Sequence, residues 1–525
     1  MRKLTILMTF LLFVGFQAAA QMQISGKVTN AQSGEPIPGV SIVVKSQTTI
    51  GTTTDMDGNY SIKVPADAEI LVFSFVGMQT LEETINGRST INAQLEPKVQ
   101  EMEEVLVVAY GTTKKSTFTG SASSVNTEEI EETNVASVEK ALQGSVAGLQ
   151  TSSGSGQPGA NSSVVIRGVG SITAGTEPLY VIDGIPVVSG DLGQRSYTTN
   201  ALASLEPSDI QSISVLKDAT ATSLYGSKAS NGVILITTKS GKKGKTDIKF
   251  STETGITNKI PDNFDLTSAS ELKQLYKEAY MGAGRTDAEA QALVDAFPDN
   301  DVNWLDEIFR TGSNQKYKLS ARGGNETTKY FASATHFLQD GIVIGSGLDR
   351  TSARLNLTVD PVDWAQFGIN STGSIANVDR VSGAGFYADP VTSAYFMRPW
   401  EPVYNEDGTY NQNIPYNLDY NPVAVTDLDD RTNVQKRLLA SGFALVRPIN
   451  EEDNTLTIKS NFGVDYYDLE ENTFWNPNGP SGEAYNGYSE LATTNRSIYT
   501  ITNTIQWVRT LNDAHNIDLL VGQEA

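Results

Sequence analysis

Long segments of alternating character in the second half of the chain constrain its fold most strongly. One of them is "TLTIKSNFGVDYY", residues 455–467. Successive side chains of a β-strand point to opposite faces of the sheet. One face of this strand therefore carries Leu456, Ile458, Ser460, Phe462, Val464 and Tyr466, and the other carries Thr457, Lys459, Asn461, Gly463, Asp465 and Tyr467. The same pattern recurs and predicts about nine strands between Ser240 and Ala525.

The connections between these strands differ in length. Short ones such as "DPVD", residues 360–363, alternate with long polar ones such as residues 401–432. Strands of about ten residues with short turns at one end and long loops at the other are typical of an outer-membrane β-barrel. A soluble all-β domain is the alternative, because soluble sheets also alternate. Since a barrel must close, we expect either a small barrel or the N-terminal portion of a longer chain.

The N-terminus carries an export signal. "MRKLTILMTFLLFVGFQAAAQ" begins with Arg2 and Lys3, continues with an apolar run and ends in a small-residue cleavage pattern at Ala18 and Ala20. This arrangement predicts a signal peptide over residues 1–20 and a mature chain that begins at Gln21. Export favours the barrel over the soluble alternative.

Composition excludes several classes of function. The formal net charge of −22 argues against nucleic acid, which needs a basic surface. The chain has no cysteine, and His336 and His515 stand alone, so neither thiol chemistry nor a histidine-based catalytic or zinc site is predicted. We therefore expect no enzyme activity, no metal and no cofactor.

Residues 21–97 form a separate region of short strands and turns. "SGEPIPG" and "DMDGN" carry turn chemistry between the strands "VSIVVK", "YSIKV" and "ILVFSFV", which predicts a small β-sandwich. The region resembles the carboxypeptidase-regulatory-like domain, a transthyretin-like sandwich. The matching residues are Gly26, Val28, Gly39, Val40, Asp57, Gly58 and Tyr60. The resemblance implies a non-catalytic module.

Residues 98–116 form a linker, and residues 117–239 mix helix and strand. In "NVASVEKALQGSVAGLQ", apolar residues at helical spacing follow Asn134, which predicts a helix that Asn134 caps. The strands that follow are "SSVVIRGVGS", "EPLYVIDGIPV" and "DIQSISVLKD". "ATATSLYGSKASNGVILITTK" predicts a short helix, a glycine-rich turn and a last strand.

The chain from the linker onward resembles the SusC/RagA family of TonB-dependent outer-membrane transporters. The matching segments are "EVLVVAYGTTKKSTFTGSASSV", "VVIRGVGS", "PLYVIDGIPV", "IQSISVLKDATATSLYGSKASNGVILITTK" and "VNWLDEIFRTGSNQKYKLSARGGN". The resemblance implies a mainly β chain: the sandwich, an α/β plug domain over residues 117–239, and a partial barrel of the 22-stranded type over residues 240–525. Because only the first part of such a barrel fits this length, we expect a truncated chain.

The linker contains the segment that matches the family's TonB box. It consists of Glu104, Val105, Leu106, Val107, Val108, Ala109 and Tyr110. An extended segment with free main-chain groups is suited to pairing with a strand of the periplasmic partner TonB. The alternative is that residues 105–110 are the last strand of the sandwich or the first strand of the plug.

Charged residues at strand ends are the candidate gating residues of the plug. They are Arg167 beside Gly168, Asp183 beside Gly184, and the pair Lys217 and Asp218. The resemblance implies ion pairs between plug and barrel wall or within the plug; the alternative is an ordinary turn at Asp183-Gly184 and a solvated Arg167. Three further residues, Tyr225, Gly226 and Gly232, are assigned to the tight turn before the last plug strand.

The resemblance implies active import of a nutrient across the outer membrane of a Gram-negative bacterium of the Bacteroidetes type, with the N-terminal domains in the periplasm. The implied partners are TonB with ExbB and ExbD, a SusD-like surface lipoprotein, outer-membrane lipid, and a glycan or peptide substrate. The alternative is an outer-membrane protein that binds, signals or adheres without transport. The TonB box and plug favour import, since a passive binder needs neither.

Overall fold

The computed structural model describes residues 21–31, 33–96, 105–108, 111–114, 121–125, 136–172, 175–195, 199–218, 222–261, 266–382, 389–412, 414, 420–451, 453–511 and 515–525. The predicted signal peptide lies outside these residues. The chain divides into two compact units, residues 1–104 and residues 105–525. Among the described helices, none combines the length and apolarity needed to cross a membrane.

The first unit is a β-sandwich, as the turn pattern predicts. Its strands are β1 Gln21–Asn30, β2 Ser41–Val44, β3 Gln47–Thr53, β4 Asn59–Pro65, β5 Ile70–Ser74, β6 Leu81–Thr84 and β7 Ala93–Leu95. They form a three-stranded sheet in the order β4-β1-β7 and a four-stranded sheet in the order β3-β2-β5-β6. Alternate residues such as Ile24, Val28, Ile42 and Phe73 are fully buried between the sheets, which places one apolar face of each sheet in a common core.

Strands β8 Val105–Val108 and β9 Gly111–Lys114 form a separate two-stranded sheet. The region predicted as the plug contains a mixed five-stranded sheet and a separate hairpin. Its strands are β10 Ala122–Val125, β11 Leu149–Ser153, β12 Ser162–Ile166, β13 Leu179–Ile182, β14 Ile185–Pro186, β15 Ile210–Leu216 and β16 Val233–Thr238. The order is β10-β15-β16-β13-β14, and β11 pairs with β12 in a separate hairpin. Its helical elements are α1 Val138–Ala141 and the 3-10 turns η1 Ala201–Ser204, η2 Pro207–Asp209 and η3 Ser223–Ala229. Leu202, Ile213 and Ile234 lie in its fully buried core.

The predicted helix after Asn134 is only one turn long. Ser137 is the N-cap of α1, and its side chain accepts a hydrogen bond from the Lys140 amide, while Asn134 lies outside the described residues. Gly144 and Gly148 adopt φ angles of 76° and 79°, which a right-handed helix does not contain. Helical spacing of the apolar residues therefore persists where the main chain has already left the helix.

Between Gly244 and Glu524 the chain forms one antiparallel sheet of nine strands, here called the wall. Its strands are β17 Gly244–Thr257, β18 Gly312–Gly324, β19 Thr328–Asp340, β20 Gly347–Val362, β21 Ala365–Asp379, β22 Asp430–Asn450, β23 Asn454–Trp475, β24 Tyr488–Leu511 and β25 His515–Glu524. Strands that follow one another in sequence are neighbours in the sheet. The predicted number of about nine strands is confirmed.

The connections of the wall are short at one end and long at the other, as predicted. The short ones are residues 325–327, 363–364, 451–453 and 512–514. The longest connections at the other end, residues 258–311 and 380–429, contain helices. These helices are α2 Ala269–Gly282, α3 Asp287–Asp295, α4 Trp304–Ile308, α5 Pro390–Phe396 and α6 Pro422–Leu428, and the short 3-10 turn η4 Glu483–Tyr485 lies before β24.

The two faces of the wall differ in polarity. On β20 four successive inward positions after the buried Leu348 are polar and buried: Arg350, Ser352, Arg354 and Asn356. Between them Leu355 is 48% exposed, and on β23 Phe462 is 53% exposed while Asp465 and Tyr467 are buried. The alternation of residues 455–467 is therefore confirmed, with the mainly polar face against the plug and the apolar face outward.

Candidate functional site: the plug–wall interface

The TonB-box segment is not a single free strand. Val105–Val108 forms strand β8, which pairs antiparallel with β9, Gly111–Lys114, with Val107 opposite Thr112. This hairpin is a sheet of its own and belongs neither to the sandwich nor to the plug sheet. Glu104, Ala109 and Tyr110 lie outside the described residues. One edge of the predicted TonB-binding strand is thus already occupied, by the residues that follow it.

Asp183 and Gly184 form the turn between β13 and β14. Their φ angles are 49° and 84°, as in the type I′ turns that favour Asp-Gly. The Asp183 carboxylate accepts hydrogen bonds from the amide and the hydroxyl of Thr238, at 2.9 and 2.7 Å, and from Nη2 of the wall residue Arg354 at 2.6 Å. Asp183 therefore both shapes a plug turn and joins the plug to the wall.

Lys217 and Asp218 act within the plug. The Lys217 ammonium donates to the Ser123 hydroxyl and to the Ala147 carbonyl, each at 2.7 Å, and the Asp218 carboxylate accepts from the Ser121 amide at 2.5 Å. These bonds hold β10 and the residue before it, at the edge of the plug sheet, to the end of β15.

Arg167 and three glycines of the plug lie where the main chain adopts positive φ angles. Arg167 is exposed, has a φ of 59° and makes no ion pair with a described residue; Gly168 follows it with a φ of 89°. Tyr225 packs in a small buried cluster at the kink where Gly226 has a φ of 64°. Gly232 precedes β16 with a φ of 97°, and a Cβ there would lie 2.7 Å from Ile166 Cδ1.

The wall residue Arg350 makes four polar contacts with the described part of the plug. Its Nη1 donates to the carbonyls of Ala136, Ala203 and Leu205, at 2.8, 2.7 and 3.0 Å. Its Nη2 lies 2.5 Å from the Glu206 carboxylate, and the side chains of this pair are 1% and 3% exposed. A desolvated guanidinium thus holds the turn η1 and the residue before η2.

A second buried arginine lies two strands away along the wall. Arg437 on β22 pairs with Asp465 on β23, with Nη2 and Oδ2 2.7 Å apart and both side chains at 1% exposure or less. Arg437 also donates to the carbonyls of Ala201 and Val188, each at 2.9 Å, and Asp465 accepts from the Val188 amide at 2.7 Å. The wall pair therefore binds plug main chain.

Further polar contacts extend the interface in both directions. Lys318 on β18 pairs with Asp209 at 2.7 Å, and both side chains are at most 10% exposed. On β23 the Glu471 carboxylate accepts from the Gln194 amide at 2.6 Å. The plug segment from Val187 to Asp209 is thus bonded to at least four wall strands.

Burial and charge act in opposite directions on Glu206. Burial raises the pKa of its carboxyl, but the charge of Arg350, the Ser208 hydrogen bond, Lys316 and Lys318 lower it, and the net result is a pKa below the ordinary value of 4.5. A carboxyl whose pKa is lowered by folding stabilises the folded state above its ordinary pKa. That contribution is lost as the pH falls through the lowered pKa.

We therefore expect the η1–η2 segment to keep its protection against hydrogen exchange from neutral pH down to 4.5, and to lose it below. The measurement is amide exchange of the purified protein, corrected for the intrinsic pH dependence. Glu206→Gln is the control, because its segment should respond to pH in this range far less. Loss of protection well above the ordinary glutamate pKa would contradict the assignment.

Two family matches cover the N-terminal half of the chain. Residues 114–233 match the TonB-dependent Receptor Plug Domain, and residues 24–107 match the CarboxypepD_reg-like domain. TonB-dependent receptor P3 of Formosa agariphila is 38% identical over 420 residues, which is 78% of this chain and 39% of that protein. TonB-dependent receptor SusC of Bacteroides thetaiotaomicron is 33% identical over 420 residues, 77% of this chain and 39% of that protein.

The solved structure of the RagAB peptide importer in its closed-closed state has the same fold, with a TM-score of 0.66 and 28% identity. The similarity covers 78% of this chain and 47% of that one. The chain is SusC/RagA-like, with the domain order of a TonB-dependent receptor. It spans less than half of the length of these relatives.

The predicted resemblance and fold class of this SusC/RagA-like receptor are thus confirmed. The buried wall arginines were missed by the sequence analysis. Their signal is an arginine at an inward position of an alternating strand, as in "TSARLNLTVD", where Arg354 lies two residues from Asn356. Such a position predicts a lumen-facing charge but not its partner.

Proposed function

We propose that the full-length protein imports a nutrient across the outer membrane by TonB-dependent displacement of the plug. The observation that carries this proposal is the seat of the plug on the polar face of the wall, held by the buried pairs of Arg350 with Glu206 and Arg354 with Asp183. If an interface of this size were apolar, displacing the plug would expose its apolar surface to the water in the lumen, which is unfavourable. Charged groups regain water when the plug moves.

TonB, energised by ExbB and ExbD, is the partner that would move the plug. It would pair with the segment of Glu104 to Tyr110, and the pull would enter the plug through β10. This strand has four residues and lies at the edge of its sheet. The first main-chain contact to be lost would therefore be the β10–β15 ladder, ahead of the segment from Val187 to Asp209.

Location and further partners follow from the same proposal. The outward apolar side chains of the wall would face the lipid of the outer membrane of a Gram-negative bacterium of the Bacteroidetes type, and the sandwich would lie in the periplasm. A SusD-like surface lipoprotein would cover the end with long loops. Glycan fragments and peptides are the substrate classes in question, and no chemical step in this chain is required.

Deleting Glu104 to Tyr110 should abolish uptake and leave membrane insertion and surface binding of the substrate unchanged, because only energy coupling is removed. The test is uptake by the source bacterium with the deletion in the full-length gene, beside surface labelling of the protein. Deleting the seven linker residues that precede the box, Pro97 to Glu103, is the control for the loss of seven residues. Undiminished uptake by the box deletion would refute the proposal.

A further inference from the structure

The pair of Arg437 and Asp465 holds one plug residue entirely by its main chain. Within the pair, Arg437 Nε and Nη2 donate to the two Asp465 oxygens at 2.9 and 2.7 Å. Towards the plug, Asp465 Oδ2 accepts from the Val188 amide and Arg437 Nη2 donates to the Val188 carbonyl. No atom of the Val188 side chain takes part in these bonds, so the pair does not read the residue type by hydrogen bonding.

The geometry of these two bonds is that of a β-ladder. Within one trans peptide group the N–H and the C=O point in opposite directions. The N–H and C=O of a single residue point to the same side when the chain is extended, which is how antiparallel strands exchange two bonds. The pair therefore takes the place of a neighbouring strand. It fits an extended peptide, and it does not fit an isolated secondary amide such as the acetamido group of a sugar.

A second side-chain carboxylate that accepts a hydrogen bond from the plug main chain lies further along β23. Glu471 accepts from the Gln194 amide, and Glu471 is six residues beyond Asp465 just as Gln194 is six residues beyond Val188. Between the two carboxylates, Tyr467 and Leu469 form an apolar patch on which Val188 and Leu192 pack. The inner face of β23 thus has a carboxylate that accepts from main-chain N–H groups at each end of a patch that accommodates apolar side chains.

We propose that Arg437 and Asp465 form a binding site for the main chain of an extended peptide. Val188 occupies this site while the plug is seated, and a peptide in the lumen occupies it when the plug segment leaves. The inference rests on the proposed import function and names peptide, not glycan, as the substrate class. Because the site binds main chain, it accepts peptides of differing sequence.

Arg354 provides a matched contrast on the neighbouring part of the wall. It is also buried and also faces the plug, but its hydrogen bonds to described residues all go to side chains, those of Asp183, Thr238 and Thr372. Removing its charge disturbs the seat of the plug without removing a main-chain site. A variant at Arg354 therefore separates general loosening of the plug from loss of peptide binding.

The experiment measures uptake of a radiolabelled, uncharged hexapeptide by the source bacterium, which expresses the full-length protein from its own gene. A set of peptides carries one N-methyl group at each successive position, because N-methylation removes a single N–H donor. The variants are Arg437→Met with Asp465→Leu, and Arg354→Met with Asp183→Asn as control. Replacing a buried ion pair by apolar residues of similar size is often neutral for folding, so the first variant should insert. The control removes both charges of its pair and so leaves no buried charge without a partner, and it should insert as well.

In the wild type we expect N-methylation at one or two positions to reduce uptake about tenfold, as for a lost hydrogen bond to a charged group. The Arg437/Asp465 variant should take up the parent peptide as poorly as the methylated ones, with no further effect of methylation. The Arg354/Asp183 variant should still discriminate between them. If the first variant fails to insert, the wild-type methylation profile decides alone.

Equal uptake of parent and methylated peptides by the wild type would overturn the inference. So would TonB-box-dependent uptake of a glycan with no uptake of peptide, an outcome that leaves the proposed import function intact. Failure of the proposed function has a different signature, which is uptake that persists after deletion of Glu104 to Tyr110.

Discussion

Replacing Arg350 by alanine is expected to unseat the plug more than any other single change in the wall. The substitution leaves Glu206 charged and buried and leaves three plug carbonyls without a donor. Breaking a buried ion pair by removing one partner costs about 3–5 kcal/mol. A cost of that size raises the population of displaced plug by about a hundredfold or more.

The measurement is the sensitivity of the source bacterium to a hydrophilic antibiotic too large for porins, together with hydrogen exchange of the plug in the purified protein. Lys436→Ala is the matched control. Lys436 lies on the outward face of the wall and pairs with Glu470 at 2.5 Å, with side chains 46% and 35% exposed. Exposed ion pairs contribute little to stability, so this variant should stay closed. Equal sensitivity of the two variants would contradict the role given to Arg350.

The wall and the sandwich could be predicted because strand alternation is a local property. Each residue of 455–467 reports its own face, and Phe462 and Asp465 lie on the faces that their polarity indicates. The one-turn helix α1 could not be predicted in the same way. Its length depends on Gly144 and Gly148, whose left-handed conformations end a pattern that the apolar residues alone would continue.

The partners across the plug–wall interface are beyond local reasoning. Arg437 donates to carbonyls 236 and 249 positions away along the chain. The way the plug packs against the wall decides which plug carbonyl each arginine contacts. The periodicity of the sequence does not indicate this packing. Asp183 was predicted because Asp-Gly is a turn sequence, which is a local signal. Its contact with Arg354 depends instead on where the fold places that turn against the wall.

The hairpin of β8 and β9 was also not predicted, and it poses a specific question about the TonB box. In the proposed mechanism TonB binds the main-chain groups of β8, yet β9 already pairs with one edge of that strand. Either the hairpin contributes to coupling or it is only a resting state of the box. Val107 and Thr112 are directly opposite each other. Because Val108 and Gly111 next to the connection form a hydrogen-bonded pair, Val107 and Thr112 form a non-hydrogen-bonded one, and their N–H groups point to the two outer edges of the hairpin.

Val107→Pro should abolish uptake, whereas Thr112→Pro should preserve it. Proline at 107 removes a main-chain donor from the strand that TonB would bind, and strand addition depends on those donors. Proline at 112 removes the matching donor from the outer edge of β9 and leaves every donor of β8 in place. Uptake and TonB co-purification in the full-length protein measure both effects. Loss of uptake in both variants, with TonB still bound to Thr112→Pro, would instead mean that the hairpin itself transmits the pull to β10.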